Sequence, residues 1–177
     1  MNQIREANKS DSDGIRQIYL DAFPDSEAGV IATLAIDLLK EVTNPKIIYL
    51  VATYDEEVVG HVAFSPVRVE DDIEWSGYIL APLAIKSDFQ GRGIGSLLIE
   101  EGKRRLLAEG VDMLFVYGDP KYYGRFGFCA DVAAKYLPPY TLAQPFGWQG
   151  IVFNECKVYK SNRSMSCVAS LCKSELW

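Results

Sequence analysis

The chain has 177 residues, 49% of them apolar and 24% charged, which suits a folded globular domain with a sizeable core and excludes a fibrous or disordered chain. Eighteen Lys and Arg against 24 Asp and Glu leave a formal net charge of −6. No nucleic-acid or anionic-membrane partner is therefore expected, and any anion must be held locally, against the overall sign. The first residues, Met1-Asn2-Gln3-Ile4-Arg5-Glu6, contain no apolar h-region, so no signal peptide is expected, and no apolar run reaches bilayer-spanning length. Cys129, Cys156, Cys167 and Cys172 lack Cys-x-x-Cys spacing and the only histidine, His61, is distant. Four free thiols in a reducing cytoplasm are expected, with no metal.

In chain order, Ile4 to Ala7 reads as a short first strand. Ser10 and Asp13 have capping-box spacing, and Ile15, Ile18, Tyr19, Ala22 and Phe23 recur at helical intervals. A second helix carries Val30, Ile31, Leu34, Leu38 and Leu39 and is expected to run until Asn44-Pro45. Two strands follow, Ile47 to Tyr54 and Val58 to Val67, around the acidic turn Asp55-Glu56-Glu57. Trp75 to Ile85 reads as a third long strand. Pro82 inside it cannot donate to a ladder, so a bulge or a splayed strand is expected there.

A helix then runs to about Glu109, with Ile94, Leu98, Gly102 and Leu106 spaced four apart, and Val111 to Tyr117 reads as a strand buried on both faces. Asp119-Pro120 reads as an N-cap with proline in the first turn of a short aromatic helix. Phe128 opens another strand, Tyr136 to Gly150 is an ordered loop, and Ile151 to Leu171 supplies one or two closing strands. One mixed α/β domain over 1–177 is the economical organisation.

Between the third long strand, the fourth candidate strand in all, and its helix stands Gln90-Gly91-Arg92-Gly93-Ile94-Gly95-Ser96. Alternating glycines let successive N–H groups turn inward, and the helix start adds unpaired N–H groups and a positive dipole end. Such a loop is suited to phosphate. A nucleoside triphosphate P-loop requires Gly-Lys-Ser/Thr, and no lysine follows Gly95. A dinucleotide fingerprint requires Gly-x-Gly-x-x-Gly after the first strand of a βαβ unit, and here the loop follows the fourth candidate strand.

The spacing Gln/Arg-x-x-Gly-x-Gly in Gln90 to Gly95 resembles that of the GNAT superfamily of CoA-dependent N-acetyltransferases. Pro82-Leu83-Ala84-Ile85 and the segment Gly118-Asp119-Pro120-Lys121-Tyr122-Tyr123-Gly124-Arg125-Phe126-Gly127-Phe128 resemble it too. The resemblance implies a central mixed, splayed sheet flanked by helices, with acetyl-CoA as cosubstrate. It implies that the pantetheine arm lies in the gap, meeting Leu83, Ala84 and Ile85. The pyrophosphate would rest on Gln90, Gly91, Arg92, Gly93, Ile94, Gly95 and Ser96. Lys121 and Arg125 either reach the cofactor or form a solvated helix face.

The implied reaction is direct transfer of an acetyl group to a primary amine of a small molecule or peptide, in a ternary complex. A strand N–H near Leu83 would stabilise the oxyanion, and Tyr123 matches the family's tyrosine that protonates the departing thiolate. Asp71, Asp72 and Glu74 precede the splayed strand; Glu74 is the first choice as base, against a solvated acidic turn. His61 reads as packed or edge-exposed, and Cys129 lacks a histidine partner for covalent chemistry. Tyr140, Phe146 and Trp148 either line an acceptor pocket or pack under a loop. Dimerisation through C-terminal strands is common in relatives. A non-catalytic acyl-CoA sensor is the alternative.

Overall fold

The structure, a computed structural model, describes residues 3–177; Met1 and Asn2, read above as part of the start without an h-region, lie outside them. Strand β1 (Gln3–Glu6) pairs antiparallel with β2 (Ile48–Tyr54), and α1 (Ser12–Ala22) and α2 (Asp25–Lys40) come between them in sequence. The capping box forms two residues earlier than Ser10 and Asp13 suggest. Asn8 Oδ1 accepts from Ser10 N at 2.9 Å, and Asp11 Oδ2 accepts from Asn8 N at 2.8 Å. Arg5 on β1 donates to both Asp11 oxygens at 2.7 Å, a tertiary contact that favours this box over its neighbour. Helix α2 stops at Lys40, before Asn44-Pro45, because Glu41 turns extended and its carboxylate accepts from Ala169 N and Ser170 N at 2.7 and 2.9 Å.

Strands β2, β3 (Glu57–Val69) and β4 (Asp72–Ile85) form an antiparallel meander, its turns held by Asp55, Glu56 and Asp71 at positive φ. Helix α3 (Ile94–Ala108) leads to β5 (Met113–Tyr117), which lies parallel to β4. Then come α4 (Pro120–Tyr123), α5 (Ala130–Ala133), β6 (Tyr136–Leu137), β7 (Trp148–Val152) and β8 (Arg163–Cys167). The spatial order is β1-β2-β3-β4-β5-β7, with β8 against the far end of β3 and β6 parallel to β8.

Two expectations are revised here. The strand at Phe128 shrinks to a single bridge, Cys129 with Gly150, before α5 begins. The loop Tyr136 to Gly150 contains β6 and the first three residues of β7. The closing strands expected within Ile151 to Leu171 are β8 and the end of β7.

Helix α3 covers one face of the sheet, packing Leu98 and Leu106 on Leu50, Phe64, Leu80 and Leu114. The other face holds Leu38 of α2 with Ile79, Met113 and Phe115, and Phe115 stacks on Trp148 at 5.2 Å. Residues of β5 thus alternate between two buried faces, as its unbroken apolar run implies.

On α3, Gly102 is the point of closest approach: a Cβ there would lie inside the fully buried ring of Phe64. Gly102→Ala is expected to cost about 1–3 kcal/mol through overpacking, despite alanine's better helix propensity. Urea unfolding measures it, and a stability equal to the original would show that Phe64 has room to move.

Candidate active site

The β4–β5 ladder ends at Leu80 and Val116, although β4 continues to Ile85. On its other edge β4 stays paired with β3, through a bulge where Ala81 and Pro82 together oppose Ala63. Proline has no N–H to give a ladder, which explains why the interruption falls there. Lys86 N donates to Val59 O on β3 at 2.9 Å. Backbone groups alternate sides along a strand, so Ala84 also faces β3 while Leu83 and Ile85 turn their N–H and C=O towards the gap. Gln90 Nε2 donates to Ile85 O at 3.0 Å and closes the far end of that open edge.

Beyond it the chain winds through Gly91 (φ +73°) and Gly93 (φ +78°), values that a Cβ disfavours. Gly93 is the N-cap of α3, whose first intrahelical bond is Leu97 N to Gly93 O at 3.1 Å. The N–H groups of Ile94, Gly95 and Ser96 therefore have no helical acceptor. At Gly95 a Cβ would stand 2.5 Å from the Tyr122 hydroxyl, so a side chain there would displace that ring.

A cleft of about 610 Å³ runs along this edge, within the usual range for ligand sites. Among the residues expected at a CoA site, Leu83, Ala84, Ile85, Gln90, Gly91, Gly93, Ile94, Gly95, Ser96 and Tyr123 line it. Arg92 does not: its guanidinium donates to Asp88 O at 2.7 Å and lies 4.9 Å from the centre of the Phe89 ring. Arg125 lines the cleft, while Lys121 is not among its lining residues. Phe23, at the end of α1, also lines it, as does Tyr122. Neither carries a local signal, because Phe23 reads as one more apolar residue at helical spacing and Tyr122 as one aromatic among several.

Glu74 is not brought to the cleft. It stands nine residues before Leu83 on β4, which is about 30 Å along an extended strand, and its exposed carboxylate lies 3.7 Å from Lys157. The acidic cluster is a turn: Asp72 Oδ1 accepts from Glu74 N and Trp75 N, Asp72 Oδ2 accepts from the Tyr159 hydroxyl, and Asp71 holds positive φ.

Tyr123 sits on α4, which Asp119 caps by accepting from Lys121 N at 2.9 Å. Its ring meets Phe128 and Tyr122 edge-on, at 5.7 and 5.0 Å. Burial, then the neighbouring Tyr122, push its phenol well above the ordinary value near 10, so the proton is present throughout the neutral range. His61 is wholly buried, with Nδ1 2.8 Å from the Tyr19 hydroxyl, and burial lowers it to about 3 despite the nearby charge of Asp11. It is a packed, neutral histidine. Trp148 is core, donating to Tyr136 O at 2.8 Å, whereas Phe146 is exposed. All four cysteines are free, and no cluster of potential metal ligands occurs among the described residues.

The sequence model of the acetyltransferase (GNAT) family matches residues 12–128, which contain α1 through α4 and the whole glycine loop. Over 139 residues the chain is 33% identical to the uncharacterized N-acetyltransferase YjhQ of Escherichia coli strain K12, spanning 77% of this chain and 75% of that one. The crystal structure of the GNAT family N-acetyltransferase YhbS from Escherichia coli in complex with CoA superposes with a TM-score of 0.82. It is 28% identical and covers 97% of this chain and 92% of that chain. A GNAT family acetyltransferase from Brucella melitensis in complex with acetyl-CoA gives 0.70, at 27% identity, covering 96% and 97%. The chain belongs to the acetyltransferase (GNAT) family.

Proposed function

We propose that the chain transfers the acetyl group of acetyl-CoA to a primary amine by direct attack in a ternary complex, with Tyr123 as the acid. One observation carries this: a single cleft is lined by unspent N–H groups at a helix start, an open strand edge and a half-buried, protonated phenol. The family supplies the thioester cosubstrate, and the similar YhbS and Brucella proteins hold CoA and acetyl-CoA.

In this reading the N–H groups from Gly91 to Ser96 hold the pyrophosphate, and Arg125 adds charge from across the cleft. Arg92 contributes its backbone rather than its guanidinium. The amide-bearing arm bonds to Leu83 and Ile85 as a missing strand would. The neutral amine attacks the thioester carbon, and the resulting oxyanion is held by the Leu83 N–H. Collapse breaks the C–S bond, the thiolate takes the proton of Tyr123, and the amine's proton leaves to water, from which the phenol is recharged.

Glu74 has no part in the reaction, standing at the wrong end of β4. Residues 1–177 act as one domain, since β7 and β8 are hydrogen-bonded into the sheet that carries the cleft. The proposed setting is the cytoplasm, in keeping with four unpaired cysteines; among the described residues no helix is long and apolar enough to cross a membrane. A homodimer through the C-terminal strands belongs to the same reading.

Calorimetry and a free-thiol assay test it together. One acetyl-CoA is expected to bind per chain, with CoA released only when an amine is present. Failure to bind, or equal release without amine, overturns the reading.

A further inference from the structure

A second cavity, of about 350 Å³, adjoins the first at Phe23, Leu83, Asp119 and Tyr123, where the thioester carbon would lie. Ile31 and Leu34 of α2, Pro82 of the β4 bulge, and Leu171, Leu176 and Trp177 from the end of the chain supply its wall. Two polar side chains of that wall are already engaged. Trp177 Nε1 donates to Leu171 O at 2.9 Å, and Tyr117 Oη accepts from Gln144 N at 2.8 Å while its ring stacks on Trp177. Lys, Arg and Glu are absent from its lining residues. Asp119, at the junction with the cleft, is the only side-chain carboxylate among the lining residues, and one of its oxygens is taken by the N–H of Lys121.

We infer that the acceptor is a primary amine carried on an apolar body, an alkylamine or arylalkylamine, and that Leu176 and Trp177 read that body. The inference rests on the transfer reading above and names its acceptor. Three consequences of the wall agree with it. An apolar wall disfavours an ammonium and favours the neutral amine, which is the attacking form; with Glu74 remote, this supplies what a base would otherwise do. Hydrocarbon of the acceptor leaves water on entering, so each added methylene strengthens capture until the cavity is full. A second ammonium at the far end of the acceptor would be left without a partner, which excludes polyamines.

The test compares kcat/KM for ethylamine, butylamine, hexylamine, 2-phenylethylamine and 1,6-diaminohexane, read as CoA release. About fourfold is expected per added methylene, so about fifteenfold for each step of two from ethylamine to hexylamine. The diamine, matched to hexylamine in length, is expected at least about tenfold below it, because its second charge has no partner in the wall. Leu176→Glu, a half-buried position, is expected to weaken hexylamine and improve the diamine with KM for acetyl-CoA unchanged; a melting curve confirms that it folds. A flat alkylamine series, or a diamine as good as hexylamine, overturns the apolar acceptor while CoA release still supports transfer. No release with any amine, although acetyl-CoA binds, overturns transfer and the acceptor with it.

Discussion

Tyr123→Phe is expected to lower kcat by about a hundredfold or more, the range of a lost general acid, while acetyl-CoA binds as tightly as before. The expectation follows from what the substitution leaves in place. The ring of Tyr123 packs edgewise on Phe128 and Tyr122, and phenylalanine keeps both contacts, so the cleft keeps its shape. Only the hydroxyl goes. Burial holds that phenol well above its ordinary value, so it carries its proton over the whole working range and can meet the thiolate as the C–S bond breaks. Without it the sulfur must leave unprotonated in a partly dehydrated site, and a hundredfold corresponds to about 2.7 kcal/mol of lost transition-state stabilisation. The sign of the shift also predicts a pH dependence. A raised value means that no alkaline loss of kcat below about pH 10 belongs to Tyr123, so any limb seen near neutrality should persist in the phenylalanine variant. Steady-state kinetics and calorimetry on the two proteins decide it. Turnover within about threefold of the original would take Tyr123 out of the chemistry, since a general acid is worth far more.

The parts of this site that sequence reveals are those encoded by neighbouring residues. Gly91, Gly93 and Gly95 announce a turn that a Cβ would forbid, and the structure gives the first two positive φ and the third a tyrosine hydroxyl in the way. Pro82 announces the interrupted ladder, because a missing N–H acts at the residue itself. The failures share another origin. Asn8 with Asp11 and Ser10 with Asp13 offer the same spacing, and the choice falls to Arg5, a residue of another element. Strand β7 hides behind Gly147 and Gly150, which read as loop residues. Gly150 is there because a Cβ would press on Val132 of α5 and on Phe115, its partner on β5, at 3.2 and 3.3 Å. The acceptor cavity is the extreme case: Phe23, Leu34, Pro82 and Trp177 come from four distant segments, and no local period connects them.

Gly91→Ala and Gly93→Ala in one chain are expected to weaken acetyl-CoA binding by about thirtyfold to nearly a thousandfold. Nothing lies within 4 Å of a Cβ at either position, so the change creates no clash, and its whole effect comes from φ values of +73° and +78°. Holding an alanine in that region costs about 1–2 kcal/mol, or about 2–4 for the pair. The free protein escapes the strain by rotating the loop peptides, which turns N–H groups away from the cleft. Binding must then restore the strained form, and about 2–4 kcal/mol converts to the stated range at about 1.4 kcal/mol per factor of ten. Two other glycines separate this account from a general loss of stability. Gly110, after α3, has φ +73° and equally open space, so Gly110→Ala carries the same strain far from the cleft. It should lower the melting temperature and leave the acetyl-CoA Kd unchanged. Gly29, exposed within α2 with nothing near its Cβ and an ordinary φ, should gain about 0.5–1 kcal/mol as alanine. Calorimetry on the three variants reads the difference directly. Equal affinity in all of them would mean that the diphosphate does not rest on the backbone of Gly91 to Ser96, and the thioester would then lack the anchor that aims it at Tyr123.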